Sequence, residues 1–475
     1  MKKLISVLLL LAIVLGLCAC GGNGGENVTT EPAYQGLKIG YGRESIMPQG
    51  QVNISGSGNQ EHRISTGFLD ILYATCIAIT EGDTTVLLFS TDTLTAKNSW
   101  TIEARRQISE ATGVPQKNIQ IGGTHTHSGP AVGGSEPLVL QWLPIYMDAL
   151  VRSAKQALED QAPATLYGAK VKTEDMTFVR HYLMDDGSYA GSNFGDFSKG
   201  IVDHATEADE YMTLIKVDQE GDDKKDIMIM NFQAHPCFAT ATNNYELSAD
   251  YIGTARTAFE KATGMNFIYF LGATGNQNTS SKISGEGLPN NNGREVYGQT
   301  LAQYAIDALP TMEKIEGSGV KTTQQDFTYN SNRYGQDRLT DAKKVTAMFD
   351  QDGNASNATA YAKTLGFQSV YECRGIVACA SYPATGTMDL NACSFGGVGF
   401  VAAPYEMFSN SGMYIKENSP FAYTIISTCT NGYGNYFPSR EAFEYGCYES
   451  YTARYEVGVA EDTAAKLVEM LKSVQ

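Results

Sequence analysis

The chain has 475 residues, with 52 acidic against 35 basic side chains and a net charge of −17. That balance excludes nucleic acid, or an anionic lipid surface, as a partner held by charge. A hydrophobic share of 42% and a charged share of 18% are those of a globular protein, not of a disordered or fibrous one.

In chain order, Lys2 and Lys3 precede the apolar run Leu4–Leu17. That run is shorter than the ~20 residues needed to span a bilayer and suits the apolar region of an export signal. It ends in Leu17-Cys18-Ala19-Cys20, which resembles a bacterial lipobox. Residues 1–19 are then expected to be removed and Cys20 to be diacylated; an ordinary secretory cut near Ala19 is the alternative. Residues 20–35 include the Gly-rich stretch GGNGGENVTTE and read as a flexible tether. The expected location is the outer face of the bacterial cell membrane, with the lipid anchor as the membrane contact. Residues 36–475 are long enough for one large domain, and no internal repeat or linker divides them.

Thr85–Ser90 (TVLLFS) predicts a buried strand, and Trp100–Thr112 a helix stopped by Gly113 and Pro115. Asn118–Gly122 predicts a short strand running into THTHSGP, followed by a long helix over Leu138–Glu159. Ile227–Phe232 (IMIMNF) is an apolar strand leading into QAHPC. Ser248 is placed to cap a helix from Ala249 to about Ala262, with Gly264 just past its end. Asn266–Leu271 is a further strand, ending in the Gly-rich loop GATGNQN. Gly375–Ala403 reads as short β-rich runs. Asp462–Val474 closes the chain as an amphipathic helix with Ala464, Leu467, Val468 and Leu471 on one side. Strand, polar loop and helix in repetition describe a single large mixed α/β domain with its functional residues on loops at strand ends.

Outside the signal there are seven cysteines: Cys76, Cys237, Cys373, Cys379, Cys393, Cys429 and Cys447. No two are spaced Cys-x-x-Cys, so thiolate metal sites are not expected. They read as small buried hydrophobes, with a Cys373–Cys379 pair left open. The chain has six histidines: His62, His125, His127, His181, His204 and His235. His125 and His127 lie two apart at a strand end, where i and i+2 share a face, so both can converge on one site. Neutral imidazole is a common zinc ligand, although His-x-His also arises by chance. His235 follows a buried strand, and Pro236 holds it extended, which keeps a helix from starting there. A metal ligand and a hydrogen-bonded core histidine are equal readings of it. His181 and His204 read as surface residues.

Several segments in order resemble the neutral/alkaline (non-lysosomal) ceramidases, zinc amidases that cleave ceramide to a fatty acid and sphingosine. They are GYGRESIMPQG, GFLDILYATCIAI, GTHTHSGP, AHPCFATATNNYELSADYIG, GFVAAPYEMFSNSG and NGYGNYFPSREAFEYGCYES. The resemblance implies a Zn²⁺ site held by His125, His235, Glu406 and Tyr436. His127 would face the substrate, and Tyr448 would stabilise the transition state. It also implies an arginine near the substrate's polar head, which matches Arg180; a surface salt bridge is the other reading. Asp250 would orient a metal-bound histidine or cap its helix.

The family's Gly-Asp-x-Ser-Pro-Asn loop is replaced here by Gly275-Asn276-Gln277-Asn278-Thr279. Backbone amides of this loop, and Asn276 or Asn278, are then the groups expected to line the site and contact the substrate in place of that Ser. The chain is also expected to lack the C-terminal immunoglobulin-like domain that ceramidases append. The expected activity is zinc-dependent hydrolysis of the amide of ceramide or a related N-acyl lipid. A zinc amidase or esterase on small N-acyl or O-acyl substrates is a second reading. A lipid-anchored solute-binding protein, with no metal and two similar α/β lobes, is a third.

Overall fold

The strand Ile227–Phe232 shows no polar alternation because both of its faces are covered, and the same holds across most of the main sheet. In the computed structural model, residues 35–56, 63–95, 98–242, 245–288 and 293–475 are described. Residues 1–19, Cys20 and all of the expected tether but Gln35 lie outside them. Among the described residues no helix is long and apolar enough to cross a membrane.

The main sheet comprises β1 (Lys38–Ser45), β2 (Tyr73–Glu81), β3 (Thr84–Thr91), β4 (Ile119–Gly123), β5 (Ala162–Lys172), β6 (Tyr211–Gln219), β7 (Ile227–Phe232) and β8 (Asn266–Leu271). Its order is β8-β7-β6-β5-β1-β2-β3-β4, with Glu313–Lys314 added on β5. The outermost pair at each edge is parallel. The crossovers that parallel pairing requires are α1 (Asn98–Thr112), between β3 and β4, and α3 (Asp250–Thr263), between β7 and β8; α2 (Pro137–Glu159) lies between them in sequence. The sheet curls until the two edge strands β4 and β8 come into contact. Residues Thr428–Asn431 seal that seam: Thr428 N–H donates to Leu271 O at 3.0 Å, and Asn431 N–H to Ile121 O at 2.9 Å.

Alternate residues of each strand serve two different cores. Ala74, Cys76 and Ala78 of β2 face α2, whereas Ile77 and Ile79 face a second sheet. Met228, Met230 and Phe232 of β7 face α3 and α4 (Arg294–Ala308), whereas Ile227 and Ile229 turn the other way. The second sheet is β9 (Val320–Asn330), β10 (Thr385–Phe395), β11 (Val398–Ala402) and β12 (Tyr423–Ser427), in that order. Between β9 and β10 three helices are inserted: α5 (Gln336–Asp352), α6 (Ala355–Thr364) and α7 (Val370–Ser381). The last helix, α8 (Val459–Ser473), buries Ala464, Leu467, Val468 and Leu471 against the second sheet, on the side expected of it.

The main strands and helices fall within a few residues of their expected ranges, with two differences. Gly375–Ser381 is helical, not β. Ser369 caps α7 by accepting from Glu372 N–H, and Val370, Cys373 and Ile376 bury at helical spacing against α5 and α6. Cys373 and Cys379 are free thiols. Six residues apart on one helix, they sit about 9 Å apart along the axis, beyond disulfide reach. The helix after Ser248 starts at Asp250, with Ser248 Oγ accepting from Asp250 N–H at 2.9 Å.

The first strand is fixed against α2 by its glycines. A Cβ on Gly42 would overlap the Ser153 carbonyl oxygen and stand 2.7 Å from Ala157 N, and one on Gly40 would meet Ala157 O. Gly42→Ala is therefore expected to destabilise the fold by about 1–3 kcal/mol through overpacking. Urea unfolding checks it: the midpoint falls while the denaturant slope holds.

Candidate metal centre

Three loops at the curled seam carry the site: one after β4, one after β7 and one after β8. His125 and His127 converge, but not through strand alternation as their spacing suggested. The strand ends at Gly123, and His125 adopts a left-handed backbone with φ of 67°. A non-glycine residue there is strained by roughly 1–3 kcal/mol, and Thr93 O holds its N–H at 3.0 Å. His235 is extended as Pro236 requires, with the next helical turn starting at Phe238. His127 N–H donates to Pro236 O at 3.2 Å, which ties the two loops together.

Each imidazole is oriented by a main-chain carbonyl. Nδ1 of His125 lies 2.9 Å from Leu94 O, that of His127 2.6 Å from Gly56 O, and that of His235 3.3 Å from Thr274 O. A carbonyl only accepts, so each Nδ1 carries the hydrogen and each Nε2 presents a lone pair. Those Nε2 atoms turn inward, and the nitrogens of His127 and His235 stand 2.9 Å apart. Glu406 completes the cluster. Its Oε1 accepts from Tyr433 Oη at 2.7 Å, while Oε2 lies 3.4 Å from His125 Nε2 with no hydrogen-bond partner. Opposed lone pairs beside an unpartnered buried carboxylate oxygen are costly unless a cation lies between them. The donor set, imidazole nitrogen plus carboxylate oxygen, fits zinc.

The electrostatics agree. Burial and the neighbouring His125 push the His127 pKa down to about 3, and burial holds His235 well below the usual imidazole value. Both are thus neutral at pH 7, the state in which an imidazole such as His235 can ligate a metal. Burial alone would raise the Glu406 carboxyl, but His125, Tyr433 and Arg180 outweigh it and keep the group below its ordinary value.

Tyr436 pairs with Glu406 in a short parallel bridge, Glu406–Met407 with Tyr436–Phe437, so both side chains border the same cavity. Arg180 packs over the Tyr436 ring at 5.5 Å, and the Tyr448 ring meets Tyr436 edge-on at 6.0 Å. The cavity of about 820 Å³ also takes in His125, His127 and His235. Asn276 and Asn278 are not brought to it. Both ends of the Asn276 amide are spent on Ser409, at 2.8 and 3.1 Å, and Asn278 pairs with Phe178 in a two-residue ladder. Among the described residues Asp250 touches no histidine. Its carboxylate accepts from Ala239 N–H at 2.7 Å and so caps the short helix Phe238–Thr242, while burial raises its pKa to about 6.

Arg180 is a buried group, not a surface one. Its Nε donates to Glu449 Oε1 at 2.9 Å and its Nη2 to Gly275 O at 2.8 Å. His181, expected on the surface, is fully buried, with Nε2 at 2.8 Å from Glu449 Oε2 and Nδ1 at 2.7 Å from Tyr445 Oη. His204 is partly buried as well, between Val179 O at 2.6 Å and Glu286 Oε2 at 2.8 Å. His181, Cys447 and Glu449 form a second group of ligand type. Both nitrogens of His181 and both oxygens of Glu449 are already engaged, so this cluster is a clamp that holds Arg180 and the Tyr448 segment. Sequence reasoning missed Glu449, Tyr433 and Gly56. The available signals were the carboxylate directly after Tyr448 and the first tyrosine of Tyr-x-x-Tyr.

A buried nest of imidazoles and one carboxylate at strand ends of a mixed α/β fold is a candidate metal-binding site. The sequence matches the neutral/alkaline non-lysosomal ceramidase N-terminal domain over residues 37–362, and the chain belongs to that family of amide-bond hydrolases. Its fold is similar to neutral ceramidase from Pseudomonas aeruginosa, with a TM-score of 0.67 and 16% identity over 92% of this chain and 74% of that one. It is also similar to a ceramidase complexed with C2, with a TM-score of 0.67 and 15% identity over 92% of this chain and 75% of that one. No curated protein matches the sequence.

Two outcomes follow. Tyr433→Phe removes the hydrogen bond that aims Glu406 and should weaken zinc affinity about 10–100-fold, read by competition with a chromophoric chelator. Glu449→Gln leaves Arg180 buried without its charge partner, a cost of about 3–5 kcal/mol. Arg180 and His181 pull the Glu449 pKa down to about 2 against burial. The clamp's contribution is thus complete above the unfolded carboxyl value of about 4.3 and is lost as pH falls toward 2. Denaturation at pH 7 and at pH 3 should show the gap between variant and wild type narrowing in acid.

Proposed function

We propose that this chain is a zinc-dependent amidohydrolase that cleaves the amide of ceramide, or of a related N-acyl lipid, to a fatty acid and an amine. In this reading it is exported and held at the outer membrane face through lipid on Cys20. One observation carries the proposal: converging imidazole lone pairs face an unpartnered Glu406 oxygen at the floor of the cavity. The ligands are His125, His235, Glu406 and Tyr436. When bound, zinc would supply an acidified water, its pKa lowered from 15.7 toward about 7, and a Lewis acid for the amide oxygen.

The chain's own groups do the rest. Tyr448 keeps its proton, since burial pushes the phenol up to about 12, and it donates a hydrogen bond to the oxygen that gains charge as the amide is attacked. His127 is neutral, with its Nδ1 hydrogen committed to Gly56 O. Its Nε2, 2.9 Å from His235 Nε2, carries the lone pair that takes a proton from the attacking water and passes it to the departing amine. Arg180, fixed by Glu449 and the Gly275 carbonyl, presents a rigid cation to the polar part of the substrate.

The test is hydrolysis of a fluorescent short-chain ceramide by the zinc-loaded protein, with and without chelator. Chelator-sensitive cleavage is expected, and His127→Ala should keep its zinc while losing about 10²–10³ in kcat. Zinc binding without cleavage would refute ceramide as substrate. An unchanged rate in His127→Ala with zinc retained would remove the proton-transfer role.

A further inference from the structure

The cavity above the metal centre is walled on one side by α5 and α7, helices of the insertion between β9 and β10. From this wall Tyr371 sets its ring edge-on to Tyr448 at 6.1 Å. Arg374 follows three residues on, on the same face of α7 and about 5 Å further along the helix. Its guanidinium packs over the Phe349 ring at 5.2 Å, which holds the long side chain in place. Arg374 is exposed toward the cavity, and among the described residues no carboxylate pairs with it. Asp350 of α5 borders the same cavity but lies too far away to form that pair. Thr346 adds a hydroxyl to the wall.

An unpaired cation in a cavity of so acidic a protein attracts an anion. The Asp350 carboxylate on the same cavity wall disfavours a second negative charge. The wall also carries the apolar side chains of Tyr371, Val377 and Ala378, but an acyl chain has no charge to pair with Arg374, so the anion lies on the amine part. Resting on the amide-hydrolase reading above, we infer that the substrate carries a single carboxylate on the amine side of its scissile amide, held by Arg374. The substrate class is then an N-acyl amino acid. The anion sits one helical turn beyond the Tyr371–Tyr448 contact, a short head next to the amide and not a long second chain.

The experiment compares the zinc-loaded full chain on N-lauroylglycine and on its uncharged carboxamide, in wild type, Arg374→Gln and Arg374→Glu. Wild type should favour the acid at least tenfold in kcat/KM, about 1.4 kcal/mol, mostly through KM, and the preference should shrink as salt is raised. Arg374→Gln should bring the two substrates near parity, and Arg374→Glu should reverse the order. A wild type without preference, or a preference that survives Arg374→Gln, overturns the inference. So does turnover of short-chain ceramide with neither glycine derivative cleaved, in which case the hydrolase reading still stands. No turnover of any of the three amides overturns both.

Discussion

Three imidazole N–H groups are given away to main-chain carbonyls, and the site depends on that. Leu94, Gly56 and Thr274 sit on three separate loops, and each takes the Nδ1 hydrogen of one histidine. The Nε2 lone pairs are thereby turned toward a common point. Burial then forbids the alternative of simply protonating the rings, since it holds His127 and His235 below their ordinary range. What remains is a pocket of electron pairs that only a cation satisfies. Gly56 shows how tightly this is set: its φ is 100°, and a Cβ there would stand 2.5 Å from His127 Cα.

The fold supplies the point of convergence by curling a sheet. The loops after β4, β7 and β8 would lie at opposite ends of a flat sheet. Here the edge strands meet, and Thr428–Asn431 closes the join from the second sheet. The seam leads onward to Tyr433, Glu406 and Tyr436, so the element that closes the sheet also brings in the carboxylate. Strain is concentrated at the same place. His125, Cys429, Asn431 and Asn435 all have positive φ, and each is pinned by hydrogen bonds or packing across the seam.

Much of this was legible in the sequence. Ile227–Phe232 and Asn266–Leu271 were readable as strands because burial on both faces leaves an unbroken apolar run between polar loops. His125 and His235 were readable by type and by place, at the ends of such runs. Glu406 was not. A single carboxylate after a β-rich segment has no local signature, and its burial comes from a seam formed by residues far apart in sequence. His181 was misread for the same reason, because its partner Glu449 is 268 residues away. The helix over Gly375–Ser381 was missed because Ile376 and Val377 favour strands on their own, and packing against α5 and α6 decided otherwise. Asn276 had the right chemistry for a substrate contact, but Ser409 already occupies its amide.

The most direct test of the central claim is a crystal of the chelator-stripped protein soaked with zinc, with anomalous scattering collected on both sides of the zinc edge. The account predicts one strong peak bounded by His125 Nε2, His235 Nε2 and Glu406 Oε2, with the Nδ1–carbonyl contacts unchanged. No peak there, or a peak only at surface carboxylates, would contradict it.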